Sequence, residues 1–162
     1  MRIYKLIVFG FLIFISCTQK LIKKPIEYVV FGEYSGECNR NCAIMYKYCF
    51  GDTSNTLLID TSDSYFKNSG EILFNKVSCD SNKVNIVKRM TMSLPKRLLD
   101  TFIGSCKFGC PDCGDGGGIY LEFGQNGAVK KFYFDTQIEK LPDDLKNFVD
   151  SLKADILQIS MH

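Results

Sequence analysis

Ile119-Tyr120-Leu121-Glu122-Phe123-Gly124-Gln125-Asn126-Gly127-Ala128-Val129-Lys130-Lys131-Phe132-Tyr133-Phe134 is the stretch that decides the fold class. Asn-Gly is the strongest short hairpin signal, because both central positions of the matching two-residue turn need positive φ. Such a loop pairs Gln125 with Ala128, and the register then runs outward. Glu122 falls opposite Lys131 and Tyr120 opposite Tyr133 on one face. On the other face Leu121 opposes Phe132 and Ile119 opposes Phe134. Opposite charges and aromatic pairs each stabilise a ladder, so this register supports itself.

Working outward, Leu141-Pro142-Asp143-Asp144-Leu145 opens a helix, with proline in the first turn and two acids at its positive end. Leu145, Phe148, Val149, Leu152, Ile156 and Ile159 then recur at three-to-four spacing, which makes one apolar stripe. A shorter helix begins at Ser93 or Leu94, with Pro95 in its first turn, and carries Leu98, Leu99, Phe102 and Ile103 to a stop at Gly104. Towards the N-terminus, residues 27–34, 42–50 and 56–60 are rich in strand formers, with a turn over 51–55, and residues 72–77 offer a fourth strand. The stretch 81–92 reads equally as strand or helix. The expected class is α+β: a small antiparallel sheet of hairpins with two helices packed on one face, disulfide-stapled, in one domain over residues 26–162.

The chain begins Met1-Arg2-Ile3-Tyr4-Lys5 and continues as an unbroken apolar run over residues 6–15. Two positive charges ahead of a short apolar core are the layout of an export signal. A spanning helix needs about 20 apolar residues, and this run is about half that length. It ends in Phe14-Ile15-Ser16-Cys17, which resembles the lipobox of bacterial lipoproteins, where a small residue precedes a lipidated cysteine. The resemblance implies a signal peptide over residues 1–16. It also implies that Cys17 becomes the first mature residue, carrying a thioether-linked diacylglycerol and an N-acyl chain. Several acyl chains matter, because one chain alone binds a membrane only marginally. Residues 17–25 are polar and basic and read as a lipidated tether. No Asp follows Cys17, which on the same resemblance points to the outer membrane, facing the periplasm.

Composition removes several function classes. Export of Arg2 and Lys5 with the signal takes the 20 basic side chains to 18, equal to the 18 acidic ones. A neutral domain has no electrostatic footprint for nucleic acid. His162, the sole histidine, is the last residue, which argues against Ser-His-Asp and Cys-His catalysis and against histidine zinc sites. No catalytic constellation stands out, and no enzyme activity is expected.

Besides Cys17 there are Cys38, Cys42, Cys49, Cys79, Cys106, Cys110 and Cys113. In an oxidising compartment a small domain of this density is read as disulfide-stapled. Seven thiols allow three intrachain bridges at most and leave one over. Local bridges are favoured within Cys38/Cys42 and within the Cys106/Cys110/Cys113 cluster. The cluster's spacing resembles the iron–sulfur motif of radical SAM enzymes, which implies a longer barrel and a reducing cytoplasm; this chain offers neither. Cys110-Pro111-Asp112-Cys113 also resembles a thioredoxin-type pair. That chemistry needs a helix N-terminus behind the first thiolate, and here a glycine-rich loop over 114–118 runs into a strand. Cys38, Cys42, Cys110 and Cys113 could supply four thiolates to zinc, but in an oxidising space they pair with each other first. Asp112 and Asp115 offer too few oxygens for calcium. Neither metal nor cofactor is expected.

This layout is similar to that of cysteine-containing lipoprotein domains of Gram-negative bacteria. The expected function is that of a membrane-tethered extracytoplasmic lipoprotein, a non-enzymatic binding or envelope-structural module. Its partners are the membrane, through the lipid, and an envelope protein or small ligand. The competing expectation is a thiol–disulfide or metal-handling envelope protein using Cys106, Cys110 and Cys113.

Overall fold

The structure is a computed structural model, and it describes residues 25–161 apart from Glu37, Asn41, Ser69, Phe102 and Ile103 and the side chain of Asp115. Cys17, His162 and the export signal lie outside the described residues. In chain order the elements are β1 (Ile26–Tyr34), β2 (Ala43–Cys49), β3 (Leu57–Asp60), α1 (Ser64–Lys67), β4 (Lys76–Ser78), α2 (Ser81–Met92), α3 (Lys96–Asp100), β5 (Gly104–Phe108), β6 (Gly118–Gln125), β7 (Ala128–Phe134) and α4 (Asp143–Ser160). The seven strands form one sheet in the order β4-β3-β2-β1-β6-β7-β5.

The β6–β7 hairpin has the expected register throughout, from Gln125↔Ala128 to Ile119↔Phe134. Asn126 and Gly127 both take positive φ, 59° and 68°. β6 pairs antiparallel with β1, and β1 with β2, so β1 lies at the centre of the sheet.

Alternation along the strands splits the apolar residues between two faces. Val29, Phe31, Tyr46, Tyr48, Leu57, Ile119, Leu121, Phe123, Phe132 and Phe134 are buried on the face that α2 and α4 cover. All six stripe residues of α4 are buried there, and Val84, Ile86, Val87 and Met90 of α2 join them. The stretch that read two ways is therefore a helix. Asp80 caps it, accepting from the Asn82 N–H at 2.8 Å, and its β-branched residues serve a helical stripe rather than a strand.

The class is α+β, but the expectation of a small antiparallel sheet with two helices on one face is corrected: the sheet has seven strands, and the described residues form four α-helices. The sheet is mixed, because β5 runs parallel to β7, from Gly104↔Lys130 to Phe108↔Phe134. The α2–α3 connection carries the chain from the β4 edge across to the opposite edge, and that crossover sets the direction of β5. The fourth strand spans only Lys76–Ser78, because Ile72 and Phe74 pack onto the second face of the sheet instead. There they join Tyr65 of α1 over Val30, Tyr34, Ala43, Met45 and Tyr120, so a short helix and its flanking loop cover this face. The Pro95 helix is also shorter than expected, ending at Asp100, with Gly104 opening β5. Among the described residues no helix is long and apolar enough to cross a membrane.

Candidate functional site

Two disulfides mark one end of the sheet. β1 is antiparallel to both neighbours, so its last residue, Tyr34, stands opposite Ala43 at the start of β2 and Gly118 at the start of β6. The loops that precede those two strands leave from the same place. In the first, the Ser35 N–H donates to the Cys42 carbonyl at 2.7 Å, and Cys38 and Cys42 are bonded with Cα atoms 5.5 Å apart. In the second, Cys110 and Cys113 are bonded with Cα atoms 5.4 Å apart. Each covalent bond closes its own loop, and neither ties β6 to the Pro95 helix. Cys49, Cys79 and Cys106 are free thiols. Cys79 is exposed, Cys49 is half-buried at the end of β2, and half-buried Cys106 lies in β5 against the core.

The loops are stitched together by polar contacts. The Tyr34 hydroxyl donates to Asp112 Oδ2 at 3.3 Å, and the Asp112 N–H donates to the Gly117 carbonyl at 3.0 Å. Buried Asp135 accepts from the Cys110 N–H at 2.9 Å and from the Gln137 N–H at 2.9 Å, with Lys140 at 3.9 Å. Burial alone would raise the Asp135 carboxyl, but these donors and the lysine outweigh it and hold the group below its ordinary range.

These surroundings bear on what Cys110 and Cys113 can do. A reactive CxxC pair needs positive potential at the attacking sulfur. Here the Asp135 carboxylate accepts from the Cys110 backbone N–H, and a single 3-10 turn at Cys113–Asp115 takes the place of a helix. The arrangement suits a staple. Among the described residues no group of three or more Cys, His, Asp or Glu is arranged to hold a metal ion.

Clefts lie on both sides of the Ser35–Cys42 loop. One, of about 310 Å³, is bordered by Cys38, Asn39, Asp63, Phe66 and Lys67. The other, of about 170 Å³, lies between the β1–β2 end and the last turns of α4, lined by Glu33, Cys42, Ile44, Tyr46, Ile156 and Leu157. Glu33 is a residue the sequence reading passed over, although a signal was there. Alternation through Val29, Phe31 and Glu33 puts a carboxylate on the apolar face of a central strand.

A second overlooked cluster lies on the opposite face. The Glu122 carboxylate accepts from Tyr28 at 3.0 Å and Tyr120 at 2.5 Å and pairs with Lys131 at 3.2 Å. Burial foremost, and the Glu122 charge next or through its hydrogen bond, push both phenols well above their ordinary range. With three donors on one carboxylate, the cluster works as a tie across β1, β6 and β7.

No protein-family model matches this chain, and neither a curated protein nor a solved structure matches it.

Proposed function

We propose that this chain is a lipid-anchored extracytoplasmic binding module, tethered through Cys17 to the outer membrane and facing the periplasm. Its disulfide-pinned loops make contact with an envelope partner. The observation that carries the reading is the course of β1. Tether residues 17–25 lead straight into Ile26, and at the far end of the nine-residue strand the chain reaches Tyr34, flanked by both disulfide loops. At about 3.4 Å per residue, that is about 27 Å from the tether. The β6–β7 turn stays at the tether end, with Gln125 opposite Ile26. Loops pinned by short disulfides lose little conformational entropy on binding, which favours recognition by a preformed surface.

Two measurements test this reading. Cys17→Ser should release the domain into the soluble fraction or leave an uncleaved precursor; normal processing with retention in the detergent phase would remove the tether. A photo-crosslinking residue at Asn39 or Gly116 of the full-length protein in intact cells should capture a discrete envelope component. The same residue at Asn126 should not. Equal capture at Asn126, or none at the disulfide end, overturns the reading. Turnover in an insulin-reduction assay that disappears in the Cys110→Ser/Cys113→Ser variant would favour thiol exchange instead.

A further inference from the structure

We propose that the cleft between the β1–β2 end and the last turn of α4 binds a primary ammonium group on a short aliphatic stem, with Glu33 as its counter-ion. The proposal deepens the binding-module reading by naming the chemistry the disulfide end would recognise.

Charge comes first. Glu33 is half-buried on the helix-covered face of β1, and among the described residues no hydrogen bond or ion pair reaches its carboxylate. Lys153, exposed on α4, contributes only longer-range attraction, and burial raises the Glu33 carboxyl above its ordinary value despite it. A carboxylate partly withdrawn from water, with no donor from the fold, favours a cationic donor from a ligand.

The helix adds to the same sign. α4 is 18 residues long and ends at this cleft, with Leu157 and Ser160 on its lining, yet its last turn holds no basic side chain. The C-terminal carbonyls of a helix amount to roughly half a negative charge and favour cations. Carboxylate and helix end together disfavour an anion.

Size and wall chemistry narrow the cation. The cleft is about 170 Å³, below the roughly 300–1,000 Å³ typical of sites for larger ligands such as drug-sized molecules. A nucleotide does not fit, whereas the stem and head of a lysine do. Calcium would want six or more oxygens, and the side chains here supply one carboxylate, the Ser35 and Ser160 hydroxyls and the Tyr46 phenol. Ile44, Ile156 and Leu157 instead offer walls for methylene groups. The Cys38–Cys42 bridge holds one wall in place through Cys42.

The test uses the mature lipidated chain in detergent micelles with its disulfides intact, and methyl NMR at Ile44, Ile156 and Leu157. n-Butylammonium should shift these signals saturably. 1-Butanol, the neutral analogue, should bind at least about tenfold more weakly, and so should n-butylammonium to Glu33→Gln, the scale of a charge-assisted hydrogen bond. Leu157→Lys replaces an exposed side chain with a tethered ammonium and should block the site without unfolding the domain. Equal binding of butanol, undiminished binding to Glu33→Gln, or no saturable shift overturns the proposal. Tighter binding of a lysine peptide than of its ε-acetylated form or of a free diamine assigns the ammonium to a protein partner. Equal binding of peptide and diamine, both better than the acetylated form, assigns it to a small amine. Crosslinking at Asn39 without amine binding removes the cleft alone, and amine binding without crosslinking removes the envelope-partner reading alone.

Discussion

Tyr34 and Gly118 face each other across the β1–β6 ladder, with the tyrosine side chain lying against the glycine: a Cβ on Gly118 would stand 2.6 Å from the phenolic oxygen. That packing aims the hydroxyl at Asp112, within the Cys110–Cys113 loop. One residue earlier, Gly117 takes φ +76°, and a Cβ there would lie 2.0 Å from the Tyr34 carbonyl oxygen. Bare backbone at both positions lets the second disulfide loop rest on the end of β1.

Gly117 and Gly127 therefore separate two effects. Both have positive φ, but a Cβ at Gly127 meets open space. Gly127→Val should cost somewhat more than about 1 kcal/mol, from backbone strain alone. Gly117→Ala should cost about 3 kcal/mol or more, because the carbonyl it strikes belongs to the central strand and cannot swing away. Urea unfolding of the two variants measures the difference; equal losses would mean that the loop does not rest on β1.

The Cys110–Cys113 bridge closes a very short loop, so its effect on the unfolded chain is small, on the order of 2 kcal/mol. Cys110→Ser/Cys113→Ser should lower stability by about that much in a thermal melt run without reductant. Because only a 3-10 turn, and not a helix N-terminus, follows the pair, wild type and variant should both be inactive in insulin reduction. Activity confined to wild type, with little change in melting, would count against the structural role.

What was legible in the chain was local. The Asn126-Gly127 turn specifies its register from backbone conformation, and the α4 stripe follows a 3.6-residue period over 18 residues, so both are written within a few turns of chain. Cys38 and Cys42, and Cys110 and Cys113, likewise pair with near neighbours, in line with the preference for local bridges. Spacing alone does not say which member of the Cys106/Cys110/Cys113 cluster stays free. β5 is different. Its five residues acquire a partner only when β7 has formed, and nothing in Gly104-Ser105-Cys106-Lys107-Phe108 announces a parallel edge. Ile72 and Phe74 have strand spacing but are drawn to the second sheet face, which exists only once β1, β2 and β6 have paired. The nearness of the two disulfide loops rests on Tyr34 meeting Gly118, and residues so far apart in sequence leave no local trace.

Asp60 should be the acid-sensitive point of that second face. It is fully buried and accepts from Ser62 N–H at 2.8 Å, Ser62 Oγ at 2.6 Å and Ser64 N–H at 3.1 Å, and from the Ser64 hydroxyl. Burial opposes ionisation, but the four donors outweigh it and lower the carboxyl below its ordinary value. A lowered folded pKa contributes stability above the unfolded value near 3.9, and that contribution is lost as pH falls through the folded value. Asp60→Asn keeps one acceptor oxygen of two and should cost at least about 2 kcal/mol at pH 7. Its deficit relative to wild type should shrink at pH 3, which melts at the two pH values would show. A deficit independent of pH would assign the loss to packing.

Glu33 should behave in the opposite sense, and that contrast tests the cleft without any partner in hand. Its carboxyl is raised above the ordinary value by burial, with Lys153 of α4 pulling the other way; buried Tyr46 on β2 is the neighbouring ionisable group. With a raised folded pKa, its contribution is fully present below the unfolded pKa, where the group is protonated in both states. It is lost as pH rises through the folded pKa, because the unfolded chain ionises first. Glu33→Gln should therefore melt near wild type at pH 3 and above it at pH 7. Other carboxylates, Asp60 and Asp135 among them, weaken the whole domain in acid, so the informative quantity is the difference between variant and wild type at each pH. n-Butylammonium at pH 7 should raise the wild-type melting temperature by more than that of the variant, narrowing the gap, since a ligand that binds only the folded state stabilises it in proportion to its affinity. A variant that melts below wild type at pH 7 would mean that the Glu33 carboxylate is already satisfied within the fold, and the cleft would then have no charge to offer.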